Sequence, residues 1–499
     1  MKTILTTIGI VAVSCSVANE NKRPNILFAI ADDISYPYMS AYRASGLKTP
    51  AFDEVAQRGV LFNNGYVTSP GSSPSRASLL TGLYTWEVRE GGTHGSYFPE
   101  GLITYTDILK EEGYHVGMTG KGWSPGNWNK FREDNPAGKA YDIHECKPPF
   151  TGMHSYDYSK NFEAFLDARK EGDPFCFWYG GKEAHRGYEK DGWKRSDKQL
   201  SDAYVPPYLP DTPVIRGDIL DYYLEVEWFD KHLGDMLRLL EERGELDNTL
   251  IVVTADNGMP FPSAKATCYD AGVHVPFAIC WGDKIKAPKV CDEVVSTIDL
   301  AATFLDAAGS KNKQIANMSS VSMVDWLQGK RGAKLPNRAL SGREGHAYAR
   351  KDGLGYPARS IRLGDWLYVH NFEPDREPAG DPKAITTKNG ETKSVYSYAD
   401  IDWSPSKAEL LTVLDGKNLE LAPFTDHAIA KRPQQMLYNL KEDRGCMVNL
   451  ADNPKYAKKL KELEDELFRV LKEDKDPRLT NPEIWDSYPY FGNKARVFE

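Results

Sequence analysis

The 499-residue sequence predicts an α/β protein in which a mostly parallel sheet is covered by helices on both faces. Apolar stretches of strand length alternate with helical stretches along the first two thirds of the chain, as in parallel-sheet folds. Two of these stretches, Asn25–Ala31 and Thr249–Thr254, are rich in apolar residues, as fully buried strands are. Asp32-Asp33 follows the first and Asp256-Asn257 the second, at the strand ends where such folds bind ligands.

The elements around these strands follow from periodicity and capping signals. Thr49-Pro50 begins a helix that extends to Arg58, because proline is tolerated in the first helical turn. The other predicted helices are Tyr105–Glu112, Ile215–Arg243 and Thr297–Ala308, and the other strands are His115–Met118, Phe175–Tyr179 and Val275–Trp281. Beyond residue 334 the strands shorten, and a charged amphipathic helix follows near Pro454–Lys472. We therefore predict a main domain at residues 19–334 and a smaller domain at 335–499.

The charge balance excludes some classes of partner. Lys and Arg total 62 against 71 Asp and Glu, a formal net charge of −9. A protein that holds nucleic acid or another long polyanion over its whole surface is normally basic, so no nucleic acid partner is expected. An anionic ligand would need a local positive pocket. The six cysteines beyond residue 18 form no CxxC pair, which disfavours structural zinc and thioredoxin-like chemistry and leaves disulfide pairing open.

The first 18 residues have the features of an export signal. Lys2 is basic, Ile4–Val13 is apolar, and Ser16-Val17-Ala18 fits a cleavage site for small residues. We therefore predict a protein exported to the periplasm or the medium, with lipid attachment through Cys15 as a less favoured alternative. No later stretch is long and apolar enough to predict a transmembrane segment.

The segment from Ser72 to Gly82 contains the most specific motif in the chain. Its sequence is Ser-Ser-Pro-Ser-Arg-Ala-Ser-Leu-Leu-Thr-Gly. It resembles the signature of the formylglycine-dependent (type I) sulfatases, in which Cys or Ser precedes Pro at +2, Arg at +4 and Thr-Gly at +9 and +10. This register implies that a maturase oxidises Ser72 to formylglycine, which hydrates to a gem-diol that attacks sulfur and then expels sulfate. The resemblance implies that Arg76 holds this diol; in this family the serine form is a bacterial trait.

The two polar pairs at the strand ends predict a site for a hard cation. Asp32, Asp33, Asp256 and Asn257 offer only oxygen ligands, which suit Ca²⁺ or Mg²⁺ and disfavour zinc or copper. In the sulfatases the matching residues bind Ca²⁺, or sometimes Mg²⁺, beside formylglycine.

The resemblance also implies a pocket for the sulfate group. Lys121 matches the lysine of the family's Gly-Lys-x-His element, although Trp123 stands where the histidine is expected. Lys265 matches a second sulfate-binding lysine. His185 matches the histidine of a Pro-His element, with Ala184 in place of the proline, and is expected to bind sulfate or to protonate the leaving group.

Further stretches resemble the N-sulfoglucosamine sulfohydrolase branch of the family. They are Val205–Pro213, Thr254–Ser263, Gly355–Arg362 and Asn371–Arg376. The resemblance covers Arg23 to Arg478 and implies an alkaline-phosphatase-like α/β/α sandwich with a small C-terminal α+β domain that carries an antiparallel sheet. It also implies a sulfated saccharide as substrate, with a sulfate ester or a sulfamate as the bond that is cleaved. The candidate sugar contacts are His94, Trp123, Glu344, His346, Arg350 and Arg359.

Two other functions remain open at this point. A phosphomonoesterase or phosphonate hydrolase would use the same fold, metal and oxyanion pocket. A glycan-binding protein without catalysis would keep Ser72 unmodified.

Overall fold

A computed structural model describes residues 23–44, 46–388, 391–395, 397–492 and 496–498. The predicted signal at residues 1–18, with Cys15, lies outside the described residues. Within them, no helix is long and apolar enough to cross a membrane.

The main sheet contains nine strands among the described residues. Their order across the sheet is β4-β3-β5-β1-β6-β7-β2-β8, and β9 also pairs with β2. The strands are β1 (Asn25–Ala31), β2 (Val60–Tyr66), β3 (His115–Gly120), β4 (Lys139–Ala140), β5 (Phe175–Gly180), β6 (Thr249–Ala255), β7 (His274–Cys280), β8 (Val290–Cys291) and β9 (Val295–Ser296).

The central strands of this sheet run in the same direction. β3, β5, β1 and β6 are parallel neighbours, and Ala29 of β1 lies in register with Tyr179 of β5 and Val253 of β6. Strand β7 runs antiparallel to both β6 and β2. The predicted, mostly parallel sheet is therefore confirmed, and the carboxyl ends of four adjacent strands meet at one edge.

Helices cover both faces of the sheet, as predicted. The helices of this part of the chain are α1 (Pro50–Arg58), α2 (Ser72–Thr81), α3 (Tyr105–Glu111), α4 (Tyr158–Asp167), α5 (Pro213–Glu242), α6 (Asp270–Val273), α7 (Asp299–Ala307) and α8 (Val324–Leu327). Side chains of β1 alternate between the two faces. Leu27 packs in the core that contains α1, α4 and α5, whereas Phe28 packs in the core that contains α2, α3 and α7.

Local sequence explains where two of these helices begin. Thr104 and Asp107 form a capping box at the start of α3. Thr212 caps α5 by accepting from the backbone N–H of Ile215, and Pro213 occupies the first turn.

The C-terminal part of the chain forms a smaller α+β unit. A four-stranded antiparallel sheet has the order β10-β11-β12-β15, and a three-stranded sheet has the order β14-β13-β16. The strands are β10 (Arg338–Arg343), β11 (Ala358–Leu363), β12 (Trp366–Asn371), β13 (Ala384–Lys388), β14 (Glu391–Val395), β15 (Gln435–Asn439) and β16 (Arg496–Phe498). The helices are α9 (Pro405–Leu411), α10 (Ala422–Ile429), α11 (Ala457–Glu473) and α12 (Ile484–Ser487).

The amphipathic helix α11 covers one face of the four-stranded sheet with its apolar side chains. Leu463, Leu467 and Leu471 of α11 are fully buried and pack with Leu340 and Ile361 of the four-stranded sheet. The predicted fold, an α/β/α sandwich followed by a small domain with an antiparallel sheet, is confirmed. The six cysteines of the described residues are all unpaired.

Candidate active site

Ser72 lies at the centre of a buried polar cluster. It is the first residue of α2, and it is 1% exposed. Its hydroxyl group is 3.2 Å from Asp32 Oδ1 and 3.2 Å from Asn257 Oδ1, and it accepts from Lys121 Nζ at 2.9 Å. The free N–H groups and dipole at the start of a helix favour negative charge at this position.

The acidic residues after β1 and β6 form a compact set of oxygen atoms. Ligand oxygens of Asp32, Asp33 and Asp256 lie within 4.8 Å of one another, and all three residues are buried. The Asp33 backbone N–H donates to Asp256 Oδ1 at 3.1 Å. Asn257 Nδ2 donates to Asp33 Oδ1 at 2.7 Å, while its own oxygen faces Ser72. Adjacent parallel strands thus bring the two pairs together, as the sequence predicts.

Burial and neighbouring charges shift the pKa values of Asp33 and Asp32 in opposite directions. Burial raises the pKa of the Asp33 carboxyl group, and Asp32 and Asp256 raise it further against the effect of Lys265. For Asp32, burial acts in the same direction, but the charges of Lys121, His185 and Arg76 outweigh it and lower its pKa. Buried carboxylates at such spacing fit a hard cation, which would neutralise them with oxygen coordination.

Arg76 is held one turn after Ser72 on α2. Its Nε donates to Asp256 Oδ2 at 2.7 Å, and its Nη1 donates to the backbone carbonyl of Gly122 at 3.1 Å. Nη2 is buried, has no hydrogen-bond partner among the described residues, and lies 3.9 Å from Asp32 Oδ1. This guanidinium therefore has a donor left over for a group attached to Ser72 or bound beside it.

Two lysines surround the cluster from different elements. Lys121, directly after β3, donates to both carboxylate oxygens of Asp32 at 2.7 Å. Lys265, in the loop before α6, donates to Asp33 at 2.7 Å and to Asp402 at 3.1 Å. Burial lowers the pKa of Lys265, but Asp33 and Asp402 outweigh it, so the pKa is raised and the group is charged.

A cleft of about 960 Å³ opens above the cluster. His185, exposed in the loop after β5, lines it together with Ser72, Lys121 and Lys265. His185 Nδ1 is 3.1 Å from the carbonyl oxygen of Arg186, which can only accept, so Nδ1 carries a proton and donates. The Nε2 atom is then the one available to a ligand.

Two histidines line the cleft next to the start of α2. The rings of His94 and His346 are 4.6 Å apart, and a Cβ atom at Gly71 would lie 3.2 Å from His346 and 3.7 Å from His94. His346 Nδ1 faces Asp400 Oδ1 at 3.3 Å, and its Nε2 has no partner among the described residues. Burial lowers the pKa of His94, which is therefore neutral.

Comparison with known proteins identifies the family. Residues 24–310 match the family model for sulfatases, which is more than half of the chain. The chain belongs to the sulfatase family. Sulfate ester hydrolysis is the reaction that fits this site.

Several characterised sulfatases are similar over nearly the whole chain. An ulvan-active sulfatase from Formosa agariphila is 27% identical over 90% of this chain and 75% of its own length. The human N-sulphoglucosamine sulphohydrolase is 26% identical over 92% of both chains. A protein solved with its substrate D-glucosamine-2-N,6-O-disulfate has a TM-score of 0.63 at 21% identity, covering 93% of this chain and 99% of its own. The phosphonate monoester hydrolase of Agrobacterium radiobacter shares the fold, with a TM-score of 0.62 at 17% identity over 96% of this chain and 100% of its own.

Trp123 has a supporting position in this sulfatase and does not contact the cleft. Its side chain is 0% exposed, packs edge-on against Phe98, and donates from Nε1 to the carbonyl of Ser73 at 2.9 Å. Trp123 thus contacts the first turn of α2 on the side away from the cleft. The position of Trp123 therefore does not support the prediction of a sugar contact, because no ligand in the cleft reaches its ring.

Glu344 and Arg359 belong to a buried ion-pair network. Arg359 contacts Glu344 at 2.8 Å and Asp476 at 2.7 Å, and Arg478 also pairs with Glu344. The guanidinium carbon of Arg359 lies 5.4 Å from the centre of the Trp86 ring and 5.7 Å from that of the Trp485 ring. Since both predicted residues are buried among their partners, their positions do not support the prediction that they contact sugar.

Arg350 has a comparable structural role. It donates to Asp400 Oδ2 at 2.6 Å and to the backbone carbonyl of Glu377 at 2.6 Å. Arg350 does not line the cleft, and it is linked to the cleft through Asp400, which also contacts His346.

Sequence reasoning did not single out several ionisable residues that line the cleft, among them Asp142, His154, Lys182, Glu183 and Asp402. Lys182 and Glu183 immediately precede the Ala184-His185 pair, so proximity to the motif was the available signal for them. Asp402 lies 137 positions from Lys265 in the chain, and no motif surrounds it.

Proposed function

We propose that this sulfatase removes a sulfate group from a sugar after oxidation of Ser72 to formylglycine. The observation that carries the proposal is the position of Ser72, which lies within 3.2 Å of Asp32, Asn257 and Lys121 at the floor of the cleft. The cleft volume of about 960 Å³ suits a small saccharide. The names of the similar proteins, which act on ulvan or on sulfated glucosamine, support a carbohydrate substrate.

Two groups complete the site. Formylglycine, once hydrated, supplies two hydroxyl groups on one carbon, so that one attacks sulfur and the other allows sulfate to be expelled. Ca²⁺, or alternatively Mg²⁺, would be held by Asp32, Asp33, Asp256 and Asn257 and would supply positive charge beside the sulfate oxygens.

The protein's own cations position the sulfate group. Lys121 reaches the Ser72 side chain at 2.9 Å, and the unpartnered Nη2 of Arg76 lies on the same side of Asp32. Lys265 approaches from the other side, through Asp33. These three groups stabilise the charge that develops on the sulfate oxygens as the ester bond breaks.

The leaving sugar oxygen needs a proton. We assign its delivery to Nε2 of His185, which would carry a second ring proton to the sugar oxygen while Nδ1 keeps the proton that it donates to the Arg186 carbonyl, and the ring is exposed in the cleft. His94 and His346 remain the candidate sugar contacts.

The two rival functions make different demands on the site. Phosphomonoesterases and phosphonate hydrolases with two metals generally use several histidine ligands. The carboxylate cluster beside Ser72 includes no histidine among the described residues, and the other possible metal group, Asp33, His185 and Asp402, contains a single histidine. A glycan-binding protein without catalysis would not require Arg76 and Lys121 to converge on Ser72.

The decisive experiment combines mass spectrometry with sulfate release. The protein is expressed with a maturase that accepts serine, and the peptide that contains Ser72 should lose two hydrogen atoms in mass. That protein should release sulfate from members of a panel of defined sulfated saccharides, whereas Ser72→Ala should fold and release none. Unmodified Ser72 in an active enzyme, or phosphate release without sulfate release, would overturn the proposal.

Export is a further part of the proposal. Residues 1–18 supply the signal, and Cys15 offers lipid attachment as the alternative. The N-terminal sequence of protein recovered from the periplasm and the medium would distinguish cleavage near Ala18 from attachment at Cys15.

A further inference from the structure

Within the part of the chain that the structure describes, Lys182 is a cation of the cleft that forms no direct ion pair with a carboxylate. Lys121 and Lys265 each contact a carboxylate at 2.7 Å. Lys182, three residues before His185, has no carboxylate oxygen within 4.0 Å among the described residues. Its ammonium group lies 2.9 Å from His154 Nε2 and 4.7 Å from the centre of the Tyr156 ring. Neither of these two contacts supplies a negative charge, so Lys182 has no directly bonded counter-charge among the described residues.

The carboxylates on this wall of the cleft are already bonded elsewhere. Asp142 accepts from Thr119 Oγ1 and from the Gly120 backbone N–H, both at 2.8 Å. Glu183 accepts from the His154 backbone N–H at 2.8 Å and from the Tyr158 hydroxyl at 2.9 Å. Both carboxylates line the same cleft and stabilise the charge of Lys182 from a distance, but neither is bonded to its ammonium group.

Burial destabilises the charged form of Lys182, because no carboxylate among the described residues is bonded to it directly. Lys182 is half-buried, and burial lowers its pKa, as it does for His154. An ammonium group can donate three hydrogen bonds, and the His154 contact uses at most one of them. The remaining donors suit an anionic oxygen ligand, which would also compensate the buried charge.

We infer that Lys182 binds a second anionic group of the substrate, a sulfate or a carboxylate, close to the sulfate that is removed. The inference rests on the proposed function, because Lys182 lines the same cleft as Ser72 and shares a loop with His185. It narrows the substrate class to saccharides with at least two anionic groups.

The test uses pairs of saccharides that differ only in the second anionic group. One pair is glucosamine 6-O-sulfate with an N-sulfate or an N-acetyl group. The other is a monosulfated disaccharide with a uronate carboxylate or its carboxyl-reduced form. Wild-type enzyme should prefer the doubly charged member of at least one pair, and Lys182→Met should lower kcat/KM for it about 10- to 100-fold, mainly through KM. The singly charged member should change less than about 3-fold.

Two further variants serve as controls. Lys182→Arg keeps the charge and should retain most of the preference. Lys190→Met removes the same charge from an exposed residue outside the cleft lining, and should leave the preference unchanged. The two pairs distinguish a sulfate subsite from a carboxylate subsite.

The outcomes separate this inference from the proposed function. If no saccharide releases sulfate, the proposed function fails, but calorimetry on the unmodified Ser72 protein still measures binding of both pairs. In either readout, equal losses for both members in Lys182→Met would overturn the inference. So would a wild-type preference for the singly charged members, the same effect from Lys190→Met, or no binding of any of the four saccharides.

Discussion

Replacing Lys265 with alanine removes the ammonium group that donates to Asp33 at 2.7 Å and to Asp402 at 3.1 Å. In the proposed mechanism this group also contacts the substrate's sulfate. Loss of one pre-positioned donor to developing negative charge typically costs about 2.7–4 kcal/mol, or about 100- to 1,000-fold in kcat. Because every substrate shares the sulfate group, Lys265→Ala should reduce kcat/KM by this factor for a small aryl sulfate and for a saccharide alike.

A matched variant isolates the role of the ammonium group. Asp402→Asn keeps Lys265 and its 2.7 Å contact with Asp33, but weakens the longer contact at 3.1 Å. We expect a loss of less than about 10-fold, since one charge-assisted hydrogen bond is replaced by a neutral one.

The assay measures kcat/KM for 4-nitrophenyl sulfate and for the best saccharide at saturating Ca²⁺, with thermal unfolding to confirm that each variant is folded. A folded Lys265→Ala enzyme within 3-fold of wild type on the aryl sulfate would refute the sulfate contact. So would a loss confined to the saccharide, which would make Lys265 a sugar-binding residue.

Three more predictions follow from the geometry. Asp256→Ala should abolish sulfate release at limiting metal. Wild-type enzyme should lose activity on chelation and regain it with Ca²⁺ or Mg²⁺. Recovery with zinc alone would contradict the oxygen-ligand assignment. Burial raises the pKa of Asp299 to about 7, so its protonated form is favoured in the folded state and stability falls as pH rises from about 4 to 7. Asp299→Asn keeps an acceptor for the Val321 backbone N–H. It should raise the free energy of unfolding by up to about 4 kcal/mol at pH 8 but little at pH 4. Denaturant titrations at the two pH values measure this difference, and equal effects at both would refute the prediction. Arg359→Ala removes a positive charge that is paired with the buried carboxylates of Glu344 and Asp476, and should lower the free energy of unfolding by about 3–5 kcal/mol in denaturant titrations. A stable variant with altered sugar preference would instead support the sequence prediction that Arg359 contacts the sugar.

Much of the site could be predicted because it depends on strand ends. Asp32-Asp33 and Asp256-Asn257 follow strands that pair in parallel, so their convergence follows from the fold class. Motifs also predicted Ser72, Arg76 and Lys121. Ser72 and Arg76 are one turn apart on helix α2, and Lys121 directly follows strand β3. The direction of β7 was not predictable, because a buried antiparallel strand has the same apolar composition as a parallel one.

The predicted sugar contacts that the structure does not support are residues whose burial no local pattern reveals. Trp123 and Arg359 are polar or amphipathic side chains near recognisable motifs, and such side chains are usually accessible. Their partners, the Ser73 carbonyl and Asp476, are distant in sequence or belong to the backbone. Asp402 and His154 were missed for the same reason, since tertiary contacts bring them to the cleft from segments without a motif.

The burial of Ser72 has a consequence for how the enzyme is made. All ten residues of α2 are buried, and Ser72 is 1% exposed beneath Lys121 and Asp32. A modifying enzyme must hold several residues around its target in its own active site, which the folded chain does not allow. If Ser72 is oxidised as proposed, the oxidation would therefore have to precede folding, and protein that folds first would stay inactive. The yield of active enzyme would then depend on a competition between two rates, that of the maturase and that of folding.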